Sequence, residues 1–460
     1  MASGTGSGSS ETRSYGKRAS LLSIGVGITG VITYLFFAIA SHELTPHQYG
    51  QVVVLWSAVF IVVSVLQRPV EQLLSRTVSE RLATERPIGH TVRVAATIQL
   101  GVAIGFDVIA LALRGPIEDG LLDGNETLYW IGVAAVTAYG ASYFARGFLA
   151  GSHRLTLYAA LIISESVSRT LFPLAVALGI ASGQDAVALG IVAAPTLSLI
   201  VVPFAFLRRG AARAPAGEAP AAVPEAGSEF TLAHGGGFAA AVFLIMLSEQ
   251  TFLNAGPLIV NATSGAAAAG FIFNILMIAR APLQLFQAVS TSLLPHLTRL
   301  RSHGQDEDFR DSVRVTIRAI AAFAGLVGLA MLIAGPELMQ IAFGDKFDYE
   351  RVDLLIVTAG MGLYLAAATL NQAALAQGQV RRASACWIGC AIAFVLWTAL
   401  PIIADEFTRV EVGFLGAATA LCALLYWIYR QPHPRVADRP TPGSGEEVEL
   451  QLAAADEGSP

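Results

Sequence analysis

The chain has 460 residues, of which 54% are hydrophobic and only 14% charged, and its mean hydropathy is +0.60. Soluble domains carry about 25% charged residues, so a chain this apolar cannot cover a water-facing surface, whereas a bilayer removes that requirement. The net charge of −5 says little about partners; what matters is where the cations sit relative to the spans, and no nucleic-acid partner is expected.

Residues 1–14 are Gly/Ser-rich and read as a disordered tail. The first apolar run follows Arg13, Lys17 and Arg18, and Ala38-Ile39-Ala40 resembles a cleavage site. At about 20 residues the run is longer than a signal-peptide core, and it is one of many, so it is expected to be a spanning helix. Runs long enough to span fall at roughly 19–41, 49–74, 91–113, 127–150, 156–181, 186–207, 236–260, 266–294, 312–335, 352–376, 382–403 and 411–430. No segment shows the short alternation of a membrane barrel strand. The expected class is therefore an all-α polytopic membrane protein of about twelve transmembrane helices. The domains are expected to be a tail at 1–14, a first lobe at 15–209, a linker at 210–233, a second lobe at 234–431 and an acidic tail at 432–460. Cys386, Cys390 and Cys422 lie in apolar runs with no CxxC spacing and suggest neither a disulfide framework nor a zinc site. No cofactor or metal is expected.

With the N-terminus inside, the inner segments hold 21 Arg and Lys residues against 4 in the outer ones. The outer loops are acidic instead, with Glu118, Asp119, Asp123 and Glu126 in one and Asp345, Asp348, Glu350 and Asp353 in another. Positive charge marks the cytoplasmic side. Both termini are thus expected in the cytoplasm of a bacterial plasma membrane.

The two halves correspond at a shift of about 220 residues. Gly50 falls on Gly270, Gln67 on Gln287, Leu73-Leu74 on Leu293-Leu294, and Gly115-Pro116 on Gly335-Pro336. Each half has an even number of spans, so the halves are parallel and related by an axis along the membrane normal. Substrate sites in such carriers lie between the halves near mid-membrane.

Ionisable groups inside a span are costly and usually face the bundle interior or a water-filled cavity. The second span carries Ser64, Gln67, Arg68, Glu71 and Ser75. The eighth carries Arg280, Gln284, Gln287 and Thr291 at helical spacing. The seventh adds Glu249, Gln250 and Asn254, followed by Gly256-Pro257. Arg68, Glu71, Glu249, Asn254, Arg280, Gln284 and Gln287 are the candidate cavity residues, and Glu249 and Glu71 the candidates for ion coupling. An interhelical ion pair between Glu249 and Arg280 is the structural alternative. In the fifth span, Glu165 and Arg169 form an i,i+4 couple expected to be structural. Arginine suits phosphate or pyrophosphate because its planar fork binds anionic oxygens bidentately. There is no GxxxxGK[ST], no HExxH and no clustered Cys/His spacing, so no enzymatic activity is expected.

Leu44-Thr45-Pro46-His47-Gln48-Tyr49-Gly50 resembles the Leu-x-Pro-x-x-Tyr/Phe-Gly turn of polysaccharide (O-antigen-type) flippases in the multidrug/oligosaccharidyl-lipid/polysaccharide (MOP) exporter superfamily. Arg146-Gly147-Phe148-Leu149-Ala150-Gly151-Ser152-His153-Arg154 is similar to their Arg-Gly-x-x-x-Gly-x-x-Arg inner loop, and residues 371–382 to its counterpart. The resemblance covers about residues 15–431. It implies V-shaped lobes around a cationic cavity lined by the first, second, seventh and eighth spans. It also implies transfer of a polyprenyl-pyrophosphate-linked oligosaccharide to the outer leaflet by alternating access, alongside glycosyltransferases and a polysaccharide polymerase. A multidrug/cation antiporter of the same superfamily, or another secondary carrier, is the alternative. The signature expected of a major-facilitator carrier after the second span does not match Ser75-Arg76-Thr77-Val78-Ser79-Glu80-Arg81.

Overall fold

The computed structural model describes residues 7–84, 86–204, 232–302 and 304–431. Among them are fourteen α-helices and one short 3-10 turn. In chain order the first eight are α1 (Ser7–Glu43), α2 (Pro46–Leu66), α3 (Arg68–Ala83), α4 (Gly89–Ala112), α5 (Arg114–Leu121), α6 (Glu126–Gly151), α7 (Leu155–Ala177) and α8 (Gly183–Ser198). Then follow α9 (Leu232–Ser264), α10 (Ala266–Ser302), α11 (Asp306–Phe343), α12 (Arg351–Ala376), α13 (Val380–Ala399) and α14 (Glu406–Arg430). Together α2 and α3 form one span, Pro46–Ala83, broken at Gln67 because Pro69 lacks the N–H that would continue the ladder. The eight-residue α5 lies between the third and fourth spans.

Ten of these segments are long and apolar enough to cross a membrane by length and composition. The remaining two of the twelve are α6, with 26 residues, and α10, with 37. Much of α6 is buried against other helices, including Tyr129, Tyr139 and Tyr143. The described chain begins with α1 at Ser7, within the segment expected as the N-terminal tail. Between Ser9 and Ser14 there is no Gly or Pro, so nothing stops the helix of the span from propagating back. The expected linker lies outside the described residues except for its last two positions, with which α9 begins, and the expected tail at 432–460 lies outside them entirely.

The duplication is visible in which helices pack together. The pairs α3–α6, α6–α8 and α7–α8 in the first half recur as α10–α12, α12–α14 and α13–α14 in the second. The third span of each half, α4 and α11, is the least buried in its half. Leu100, Ile104 and Val108 of α4 and Leu326, Leu329 and Ile333 of α11 are exposed, as lipid-facing apolar residues must be. The centre is made by α2, which packs on α9 and α10 of the opposite half, while α1 packs on α10.

Local sequence explains the entry into α2. Thr45 accepts from the Gln48 N–H at 3.3 Å, and the Gln48 side chain accepts from the Thr45 N–H at 3.2 Å. This is a capping box with Pro46 in the first turn. The turn aims Tyr49 and Gly50 at α10. A Cβ on Gly50 would overlap the carbonyl of Ala266, and one on Gly270 would lie 3.2 Å from the Gly50 Cα. The repeat-equivalent glycines therefore face each other where the halves cross. Likewise Gly147 and Gly151 let α6 approach α3: a Cβ on either would lie 2.6–2.7 Å from a backbone oxygen of Glu71 or Ser75. Small residues four apart allow such close helix packing in membranes.

Adding a methyl at Gly50 is expected to lower the melting temperature in detergent, because overpacking costs about 1–3 kcal/mol. The matched control is Gly105→Ala on α4, where nothing lies within 4 Å; it should be neutral or slightly stabilising. Equal melting of Gly50→Ala and wild type would contradict the close crossing.

Candidate functional site

One end of the bundle gathers the acidic loops. There His47 Nε2 meets Asp123 at 3.2 Å, Asn261 donates to the Leu121 carbonyl at 3.0 Å, and Asn125 lies 3.5 Å from Asp185. At the opposite, arginine-rich end Ser79 meets His153 at 3.3 Å and Arg382 donates to Gln431 at 2.6 Å. Loops that alternate along the chain thus alternate between ends.

At the acidic end the seam between halves is shut. The Tyr49 hydroxyl donates to Asn274 Oδ1 at 2.5 Å, and Asn274 Nδ2 donates to the Tyr349 hydroxyl at 3.1 Å. Phe37 packs on Phe273 at 4.5 Å between ring centres. Lys346 Nζ donates to the carbonyls of Ser41, His42 and Leu44 at 3.2, 2.5 and 2.8 Å. Those carbonyls end α1 and have no intrahelical partner, and an ammonium suits the negative end of the helix dipole. Ser41 Oγ donates back to the Phe343 carbonyl at 2.6 Å. Sequence patterning missed Tyr49, Asn274, Tyr349 and Lys346 as a group. Asn274 lies off the stripe that begins at Arg280, and Lys346 sits in a loop; the signal available was that the chain has only two lysines.

Just beyond this closure lies Arg280. Its guanidinium donates to Asn254 Oδ1 at 3.0 Å and to the Leu253 carbonyl, and stands 4.3 Å over the Phe273 ring. It forms no ion pair within 4 Å among the described residues, and its Nε has no partner. So Arg280 and Asn254 come together, and Glu249 does not pair with Arg280. The charged neighbour of Glu249 is Arg68, across the seam on α3. Arg68 also faces Tyr143 and Glu71. Farther along, Gln72 Nε2 reaches Met246 Sδ at 3.6 Å. Otherwise α3 leaves the seam and packs on α4 and α6. The side chains of Gln284, Gln287 and Thr291 lie outside the described residues.

The rest of the second-span stripe turns into the first half. Gln67 is fully buried and accepts from Gln99 Nε2 of α4 at 2.6 Å. Glu71 accepts from the Tyr158 hydroxyl of α7 at 3.0 Å. Nearby, Glu165 bridges two arginines: Arg146 at 2.5 Å and Arg169 at 3.2 Å, with Ser142 donating at 3.1 Å. Arg169 also donates to the Tyr139 hydroxyl at 2.7 Å and lies over Trp56 at 4.6 Å. The i,i+4 couple is thus part of a wider network holding α6 to α7, to which Arg146 of the Arg-Gly segment contributes.

The architecture is that of a polytopic helical membrane protein, and its fold is similar to that of solved MATE transporters. No protein-family model matches the chain. Among solved structures it is similar to an inward-facing multidrug resistance MATE family transporter of the MOP superfamily, with a TM-score of 0.66 at 10% identity over 95% of this chain and 99% of the other. A eukaryotic MATE transporter overlaps with a TM-score of 0.59 at 12% identity over 90% and 94% of the two chains. An outward-facing MATE transporter gives 0.56 at 13% identity over 96% and 97%. Relatives in Mycobacterium bovis and Mycobacterium tuberculosis, each called an uncharacterized protein, are 25% identical over 408 residues, covering 84% of this chain and 86% of theirs.

Glu165→Gln leaves two buried arginines short of a counter-charge, and breaking such a network costs about 3–5 kcal/mol. Unfolding in a mixed-detergent titration should show that loss, whereas Glu249→Gln, which breaks no ion pair within 4 Å among the described residues, should leave the midpoint close to wild type. The reverse ranking would contradict the assignment of Glu165 as the structural group.

Proposed function

We propose that this chain moves a polyprenyl-pyrophosphate-linked oligosaccharide from the inner to the outer leaflet by alternating access, for cell-surface polysaccharide biosynthesis. The observation that carries the proposal is Arg280. It is a guanidinium at the depth of the seam with no carboxylate partner among the described residues, held by Asn254 and a backbone carbonyl. A fixed arginine fork in a partly dehydrated site suits paired phosphate oxygens. Arg68 adds a second cation on the opposite wall. The closed acidic end and the divergence of α3 describe one of the two states that alternating access needs. On the orientation from charge bias, the closed end is the outer one and both termini are cytoplasmic in a bacterial plasma membrane. The partners are the lipid-linked sugar and the bilayer, with glycosyltransferases and a polymerase acting before and after.

The second reading is a multidrug/cation antiporter, favoured by Glu249 facing Arg68 across the seam and by what the MATE proteins above are named for. The two differ in cargo sign. Proteoliposomes should expose a polyprenyl-pyrophosphate oligosaccharide to an external glycosidase faster than empty vesicles, and Arg280→Gln should slow this about tenfold or more. No movement above empty vesicles, together with efflux of a cationic dye, would replace the flippase with the antiporter. Glu249→Gln is expected to abolish any dependence of transport on a proton gradient while Glu71→Gln does not, since Glu71 is engaged by Tyr158. Retained proton dependence in the Glu249 variant would remove it as the coupling group.

A further inference from the structure

A pocket of about 700 Å³ opens at the arginine-rich end of the second half, away from the shut end of the seam. Its walls are the first turns of α11 and the last turns of α10, α12 and α14. Arg310, Arg314 and Arg318 recur at every fourth position, so they stack on one face of α11 over about 12 Å of helix rise. Like charges so spaced repel unless an anion lies among them. Arg430 enters from α14, and its guanidinium lies 5.6 Å over the Tyr426 ring. Tyr429 is held beside it by stacking on Phe309, 6.3 Å between centres at 18°.

The one acid lining the pocket among the described residues, Asp306, pairs with Arg301 at 2.6 Å, and Asp311 on the next turn of α11 pairs with Arg314 at 2.7 Å. Among the described residues, Arg310, Arg318 and Arg430 form no ion pair within 4 Å. The pocket therefore keeps an excess of positive charge on a partly aromatic wall. It also borders lipid: Val315, on the adjoining face of α11, is 62% exposed, and Leu326 farther along is 65% exposed. Arg318 lies inside the expected span, about two turns farther along α11 than Arg310.

We propose that this pocket is a binding site for a multiply phosphorylated anionic group, presented by a lipid headgroup whose acyl chains run along the apolar face of α11. Guanidinium forks match phosphate oxygens, and basic pockets between spanning helices suit phosphate-bearing headgroups. The site is separate from Arg280 and does not depend on the cargo assigned to the seam.

The test uses the full chain in nanodiscs of phosphatidylcholine with and without cardiolipin, whose headgroup carries two phosphates. Lipid retained after detergent exchange is read by native mass spectrometry. Wild type should retain cardiolipin. The triple variant R310Q/R314Q/R318Q should retain it about tenfold less, while R81Q/R86Q/R93Q, which removes the same charge at the same end of the first half, should match wild type. The single variant Arg318→Gln should show a partial loss if the triple variant folds poorly. Inorganic pyrophosphate, titrated calorimetrically in phosphatidylcholine alone, separates the sources: binding that the triple variant loses assigns the site to soluble phosphates as well, and no binding assigns it to lipid. Equal cardiolipin retention by both triple variants, without pyrophosphate binding, would overturn the proposal.

Discussion

Two glycines set how closely the halves meet, and much of the molecule depends on that distance. Gly50 on α2 and Gly270 on α10 occupy equivalent positions in the two repeats and touch across the centre. A side chain at Gly50 would collide with the backbone of α10. Contact at this spacing brings Tyr49 onto Asn274 and Phe37 onto Phe273. In lipid there is no hydrophobic drive between helices, so close packing and buried hydrogen bonds must hold a seam together. The closure uses both, and Lys346 adds a charged latch on the end of α1.

The first half is locked in another way. Its interior holds a connected set of charges and phenols around Glu165, Arg146 and Arg169, with Glu71 and Tyr158 beside it. Buried ionic networks are often no more stabilising than a well-packed apolar core, but they are intolerant of losing one member. Such a half is suited to moving as a body against its partner. The seam, by contrast, holds Arg280 with no carboxylate within 4 Å among the described residues, whereas Arg68 on the opposite wall faces Glu249 and Glu71.

Much of the architecture is legible in the amino-acid sequence. Twelve spans, two corresponding halves and loops alternating between two ends follow from hydropathy, glycine spacing and the distribution of arginine. The Leu44–Gly50 segment that resembles a flippase turn has a physical basis in the Thr45 capping box and the Gly50 crossing. The directions of individual side chains were less legible. A continuous helix through residues 64–75 places Arg68 and Glu71 together on one cavity wall. In the structure Gln67 instead meets Gln99 of α4 and Glu71 meets Tyr158 of α7, with Gly147 close against the Glu71 backbone. Asn274 was silent in sequence because its role depends on a residue 225 positions away.

The claim on which these arguments converge is that the shut end of the seam must open during function. Glu43 and Asp345 are exposed and flank the Lys346 latch from opposite halves, so they are suitable for spin labels once Cys386, Cys390 and Cys422 are replaced. Their separation, measured by double electron–electron resonance in nanodiscs, should be short and narrow in the free protein. It should gain a distinctly longer population when a polyprenyl-pyrophosphate oligosaccharide is added. A distribution that stays the same across free and loaded states would contradict a seam that opens and closes around its cargo.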